Sequence, residues 1–347
     1  LNFIQRLWLG TWDSLVNFFK LTKFLKVIVL LIIGYVLIST GLAVYWSNTP
    51  QRLDFSATAT TAPAASETAI TGVATVDALI YITETLLNKP GGYLSNDKTL
   101  PGVWMDNMPR WEFGVLVQTR DMARAMRKDF SRSQSQSTED VDLAEAEPRL
   151  HFNSDSWLFP SSEGEYSKAV EYLKSYRQRL ADSSIQDAQF YARADNLNAW
   201  LSDVSTRLGS LSQKLSASVG QRRINTDLAG DAEASQSTSS SKELEVKTPW
   251  SKVDDVFYEA RGSAWALVHL LKAIDQDFAS VLEKKNARIS LLQIIRELEA
   301  TQEFVWSPFV LNGSEFGLWA NHSLVMSSYI TRANAAIIDL RALLSQG

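Results

Sequence analysis

The chain has no cysteine. That absence excludes disulfide staples, thiolate nucleophiles, iron–sulfur clusters and cysteine zinc sites. It fits an oxidising compartment, where a stray thiol is a liability, although many cytosolic proteins lack cysteine as well. Histidine is nearly absent too: His151, His269 and His322 stand far apart, none within HExxH and none preceded three residues earlier by glutamate. Zincin and di-iron helix signatures are therefore missing. Nucleotide and hydrolase loops of the GxxxxGK[ST], GxGxxG and GxSxG types are missing as well. No metal and no cofactor is expected. An excess of positive charge is also lacking, since the net charge is −5, and nucleic acid is not an expected partner. No segment combines period-two alternation with turn chemistry, so no sheet is expected.

What the chain does have is one long charge-free run. Val27 to Trp46, VIVLLIIGYVLISTGLAVYW, covers twenty positions. At about 1.5 Å per residue this is roughly 30 Å, the thickness of a bilayer's hydrocarbon core. A core helix seldom runs so far with Ser39 and Thr40 as its only polar breaks. A cleaved signal would have an apolar region of about 7–15 residues ending in small side chains, whereas this run ends in Val44-Tyr45-Trp46. A retained transmembrane helix is the better reading. Lys20, Lys23 and Lys26 precede it and only Arg52 follows closely. The cation bias therefore predicts a cytoplasmic N-terminus, a periplasmic main domain and residence in a bacterial inner membrane. The first 26 residues carry a charge of +3, leaving −8 for the remainder. Within them Ile4, Trp8, Trp12, Leu15 and Phe19 share one helical face, which suits a helix lying in the interface or packed on a partner's membrane domain. The chain starts at Leu1 rather than Met, which leaves room for further cytoplasmic residues.

Residues 47–70 are rich in Thr, Ala and Ser without helical period and read as a flexible linker spanning on the order of 27 Å. Residues 71–347 read as the periplasmic domain. Residues 220–249 hold few large apolar side chains and read as a mobile loop. Residues 131–149 read as a polar surface segment, ordered in part by Trp157, Leu158 and Phe159 beyond it. Elsewhere the period is helical. Phe190, Ala194, Leu197, Leu201, Val204, Leu208, Leu211 and Leu215 alternate steps of four and three. So do Val253, Phe257, Ala260, Ala264, Leu267, Leu271, Ile274, Phe278 and Val281, and likewise Met326, Ile330, Ala333, Ile337, Leu340 and Leu344. Leu291, Ile295, Leu298 and Val305 predict a fourth helix ended by Pro308; shorter helices are expected over 73–88, 111–130 and 165–182. Such seams favour shallow-angle, coiled-coil-like packing. The expected fold is all-α: an elongated bundle with long antiparallel helices over about 190–219 and 251–284. The same seams could pair copies into a homo-oligomer, but several seams in one chain make an intramolecular bundle more economical.

Two aromatic loops remain. Residues 88–112 carry Trp104, Met105, Met108 and Trp111, and residues 304–321 carry Trp306, Phe309, Phe316 and Trp319. Long loops of this composition need burial, either as caps on the bundle or against a partner protein. Trp104, Met105, Met108, Trp111, Trp306, Phe309 and Trp319 are the candidate partner-binding residues. The only enzymatic candidates are carboxylates: Asp255 and Glu259 on one helix, Glu297, Glu299 and Glu303 on another. Paired acids can bind a metal or cleave a glycosidic bond, but Lys252, Arg261 and Arg296 lie nearby and exposed helix faces routinely carry such charges. Asn312-Gly313-Ser314 and Asn321-His322-Ser323 match a glycosylation tripeptide, usually an accident in bacteria.

Several long strings carry a resemblance: DNMPRWEFGVLVQTRDMARAMRKDFSRSQSQSTED (106–140), FYARADNLNAWL (190–201), RLGSLSQKLSASVGQ (207–221), DDVFYEARG (254–262), IIRELEATQ (294–302) and ANHSLVMSSYITRANAAIIDLR (320–341). Over about residues 75–345 the chain resembles a family of uncharacterised single-span bacterial inner-membrane proteins, a domain of unknown function. The resemblance implies an envelope protein and assigns no activity, substrate or catalytic residue. The expected function is a membrane-anchored scaffold or accessory subunit of an envelope complex. The alternative is an envelope-glycan enzyme or ligand binder using Glu259 or Glu297. A sensor would need a second subunit for its output, since about 26 residues precede the span.

Overall fold

The computed structural model describes residues 23–50, 70–133, 138–182, 184, 187–224, 243–307, 309–314 and 318–346. The amphipathic stretch before the span, most of the linker and the centre of the 220–249 loop lie outside the described residues. The fold is all-α, with ten α-helices among the described residues.

Helix α1 (Lys23–Trp46) is long and apolar enough to cross a membrane by length and composition. Its apolar side chains are exposed along its length, and its last residue, Trp46, packs on the bundle. Helix α2 (Val73–Asn88) coincides with the predicted segment. Helix α3 runs Asn107–Ala125 and continues into a π-helical turn, Met126–Phe130. Helix α4 (Val141–Leu150) lies in what reads as polar surface chain. Asp140 caps it by accepting from the N–H groups of Asp142 (2.9 Å) and Leu143 (3.2 Å), and it buries Leu143, Ala146 and Leu150. Helix α5 is Ser162–Ala181 and α6 is Ala194–Ser216.

The 220–249 segment is not wholly irregular. Its ends pair as an antiparallel hairpin of β1 (Gln221–Ile224) and β2 (Glu243–Val246). Backbone hydrogen bonding across the ladder needs no large apolar side chain, so composition alone missed it.

Helix α7 (Val253–Asp277) is the hub, packing against α2, α3, α6, α9 and α10. It is too enclosed for a one-faced seam, since Trp265, Ala266, Val268 and Leu270 are buried as well as Leu267 and Leu271. The predicted helix over 251–284 breaks at Phe278, where α8 (Ala279–Lys284) begins. Phe278 packs with Phe130 and Phe190 in a three-ring cluster, at centroid distances of 5.4 and 5.9 Å. The adjacent Asp277 carboxylate accepts from the N–H groups of Gly72 (2.8 Å) and Thr75 (2.7 Å), so the end of α7 caps the start of α2. Helix α9 (Arg288–Ala300) stops before Val305. Helix α10 (His322–Ser345) pairs with α6, and its whole predicted seam is buried, as is the α6 seam from Leu197 to Leu215.

Side-chain contacts fix the directions. Arg110 meets Asp255, Gly114 meets Ser263, and Phe130 meets Phe278, so α3 and α7 run parallel. Thr75 meets Asp277 and Tyr81 meets Trp265, so α2 is antiparallel to α7. Ser205 meets Asn334 and Ser216 meets Ser327, so α6 and α10 are antiparallel. Lys214 on α6 reaches Glu259 on α7, and Arg261 on α7 reaches the end of α9. One end of the bundle therefore collects the C-termini of α2, α6 and α9 with the N-termini of α3, α7 and α10. The start of α5 joins them through the bond between Asn96 and Glu163.

Candidate functional site

That end holds both aromatic loops, but the candidate residues separate by burial. Met108 and Trp111 belong to α3 and are fully buried, Trp111 beside Trp265 at 5.2 Å. They are core residues and present no surface to a partner. The helix starts four residues earlier than its apolar period indicated, because Asp106 caps it through the N–H of Asn107. Met105 is half-buried against the core, whereas Trp104 is 52% exposed. In the other loop Trp306 (91%), Phe309 (77%) and Trp319 (75%) are largely exposed. Phe316 lies outside the described residues.

The exposed loop is nonetheless anchored at its base. Gly313 N–H donates to the Ala320 carbonyl, His322 N–H to the Leu311 carbonyl, and Asn321 Nδ2 to the Gly313 carbonyl at 2.7 Å. Asn312 Nδ2 donates to the Ser218 carbonyl at 2.9 Å, and Asn321 Oδ1 caps α10 through Leu324 N–H. Both tripeptide asparagines are thus committed to internal bonds. On the other side, Arg261 is buried and donates to the carbonyls of Gln302 and Glu303, each at 2.9 Å. It thereby ties the turn that follows α9 to α7. Gln302 Nε2 returns a bond to the Arg261 carbonyl at 3.0 Å.

Between these two anchors opens an apolar cleft of about 530 Å³. Phe257 and Met326 form part of its lining, with Phe304, Trp306, Val325 and Tyr329 around them. Its polar groups are few. His322 Nδ1 accepts the Leu311 N–H at 3.1 Å, and burial pulls its pKa below the ordinary histidine value. The imidazole is thereby held neutral with Nε2 protonated. The seams marked Phe257 and Met326 as core. Arg261, His322, Val325 and Tyr329 gave no site signal, because only the tertiary meeting of α7, α9 and α10 brings them together.

The carboxylates do not converge. Glu259 pairs with Lys214 at 3.0 Å, Glu297 with Arg332 at 2.8 Å, and Glu299 with Lys272 at 2.7 Å. Asp255 pairs with Lys252 at 2.9 Å and faces Arg110 at 3.3 Å. Each links one helix to another or to a flanking turn. Among the described residues no group of three His, Asp or Glu side chains could hold a metal ion. His269 is buried, with Nδ1 at 2.8 Å from the Trp265 carbonyl.

A second apolar surface lies at the same end. Trp157, Leu158 and Phe159 are exposed, Phe159 completely. They do not order the polar run before them; α4 does that through its own buried face. The loop carrying them is fastened at its base, where Ser162 N–H donates to the Ser156 carbonyl and Ser162 Oγ to the Asn153 carbonyl.

No curated protein and no solved structure matches this chain. A family model described as an uncharacterized protein conserved in bacteria, DUF2333, matches residues 19–347. With nearly the whole chain covered, the protein belongs to that bacterial family.

Proposed function

We propose that this protein is a membrane-anchored scaffold or accessory subunit of a bacterial envelope complex. Helix α1 is its anchor in the inner membrane, and the bundle lies in the periplasm. The lysines flanking the start of α1 support that orientation, because cytoplasmic flanks are enriched in Lys and Arg. The observation that carries the binding role is the open apolar cleft between α7, α9 and α10, lined by Phe304 and Trp306, with Phe309 and Trp319 exposed farther along the same loop. Exposed aromatic groups beside an apolar groove on a pinned loop suit an apolar segment of another protein, since Trp and Phe supply much contact area at low entropic cost. Pinning both ends of the loop lowers the ordering cost of binding further.

The glycan-enzyme reading needs a carboxyl free to donate or accept a proton. Glu259 and Glu297 each sit in an ion pair with a base, which favours a role in holding helices together.

A photo-crosslinking amino acid placed at Trp306 in living cells tests the binding role, with Lys284 on α8 as the control. One protein should crosslink at position 306 and not at 284. Its co-purification should fall at least about tenfold in a Trp306→Ala/Phe309→Ala/Trp319→Ala variant that keeps its helicity, as expected for loss of hot-spot aromatics. A protein that crosslinks at neither 306, 309 nor 319 above the control would sink this function.

A further inference from the structure

Val103 and Trp104 on one segment and Trp157, Leu158 and Phe159 on another are exposed apolar side chains, none of which lines the 304–319 cleft. Both segments are tied to the point where α1 leaves the domain. Trp46, the last residue of α1, packs so closely on Gly91 that a Cβ there would lie 2.7 Å from its ring. Two residues on, Tyr93 OH donates to the Ser154 carbonyl at 2.9 Å, and Asn96 Nδ2 donates to the Ser156 carbonyl at 2.8 Å. The segment after α2 therefore ties the end of α1 to the loop that carries Trp157, Leu158 and Phe159. Val103 and Trp104 belong to that same segment, held at its base where Glu112 accepts from Leu94 and Ser95 N–H, each at 2.9 Å.

We infer that this face rests on the bilayer that α1 spans, with Trp104, Trp157, Leu158 and Phe159 dipping into the lipid interface. The inference depends on α1 being a membrane anchor. If it is, Tyr45 and Trp46 lie at the outer interface, where amphipathic rings settle, and Gly91 lies at headgroup depth with them. Side chains fastened next to Gly91 and directed away from the core then meet lipid rather than bulk water. Their chemistry agrees: Trp, Leu and Phe are the residues that partition into an interface, and neither tip carries a charge between 157 and 159 or at 103–104. A tip that is apolar, unburied and rigidly based is costly in open water, and lipid removes that cost. The effect is to fix the tilt of the domain, so that the 304–319 cleft stands at a defined height above the membrane.

The cysteine-free chain allows a direct test. Single variants Phe159→Cys, Leu31→Cys in α1 and Lys284→Cys at the far end are labelled with an environment-sensitive fluorophore. The full chain is reconstituted in phosphatidylethanolamine/phosphatidylglycerol vesicles containing lipids with brominated acyl chains. Labels at 31 and 159 should be blue-shifted and lose most of their emission to the bromolipid, while the label at 284 should keep it. Quenching at 31 with water-like emission at 159 overturns the interfacial contact and leaves the anchor standing. A label at 159 that is blue-shifted but unquenched indicates burial against protein and also overturns it. Absence of quenching at 31 removes the anchor and this inference with it. Trp104→Cys, read in the same way, guards against a local effect of replacing Phe159.

Discussion

Lys89 and Glu112 form an ion pair in which both side chains are almost wholly buried, with Nζ and Oε1 2.5 Å apart. Burial pushes the Glu112 carboxyl up, while Lys89, Ser95 and the Leu94 N–H pull it back. Its oxygens are fully engaged by these donors, so the pair locks the segment after α2 onto α3. Removing one partner strands the other charge in the interior. Glu112→Gln should cost about 3–5 kcal/mol of unfolding free energy, read by denaturant titration in detergent, and pairing it with Lys89→Met should recover part of the loss. His322 gives a second, pH-dependent expectation. Its imidazole accepts a backbone N–H at the first turn of α10, and burial lowers its pKa. The unfolded chain takes up that proton near pH 6.5, the folded chain only below it. This contribution to stability is therefore complete above pH 6.5 and is lost as the pH falls toward the folded value. His322→Gln should flatten that part of the thermal-stability profile between pH 7.5 and 5.5.

Among the elements, α3 and α7 approach to direct backbone contact. A Cβ on Gly114 would meet the Glu259 carbonyl oxygen at 2.1 Å, and one on Gly262 would meet the Trp111 carbonyl oxygen at 2.0 Å. Ser263 Oγ donates to the Gly114 carbonyl at 3.1 Å across the same contact. Only small residues let two backbones approach so far, and backbone cannot rotate out of the way. Gly262→Ala should lower stability by about 1–3 kcal/mol through overpacking, measured by chemical denaturation, whereas Gly209→Ala in α6, where the nearest outside atom is 3.7 Å away, should be tolerated. The seams of α6, α7 and α10 were legible because each buries an unbroken row of apolar side chains every three or four residues. Helix α4 was not, because its buried row of Leu143, Ala146 and Leu150 is short and enclosed by charges. Its one readable mark was Asp140 three residues before Leu143, the position of an N-cap. The parallel packing of α3 on α7 rests on two glycines, and glycine leaves no trace in an apolar period. The cleft was half legible. Trp306, Phe309 and Trp319 declared themselves as aromatics in a loop, while Trp111 and Met108 carried the same signal and proved to be core.

At the scale of the molecule, the bundle and α1 share little contact, since among the described residues α1 packs on the core through Trp46. The seams that could have paired with a second copy are buried within one chain. A chain beginning at Ile70 should therefore fold by itself, with a thermal midpoint within about 2 °C of the full chain, because little apolar area is lost with α1. Circular dichroism of the two forms measures this directly. The shortened chain also separates tethering from contact. Without α1, any remaining affinity for phosphatidylethanolamine/phosphatidylglycerol vesicles comes from side chains on the domain's anchored end. Burying an exposed Leu or Phe gains about 1.5–3 kcal/mol, so a few such side chains give weak, reversible binding rather than stable anchoring. Vesicle flotation should recover a minor fraction of the shortened chain. Trp157→Ser/Phe159→Ser should abolish that fraction, whereas Trp306→Ser/Trp319→Ser should preserve it, since Trp306 lines the cleft and Trp319 lies on the same loop. If the cleft pair eliminated flotation and the Trp157/Phe159 pair did not, the 304–319 loop would be the face turned toward lipid.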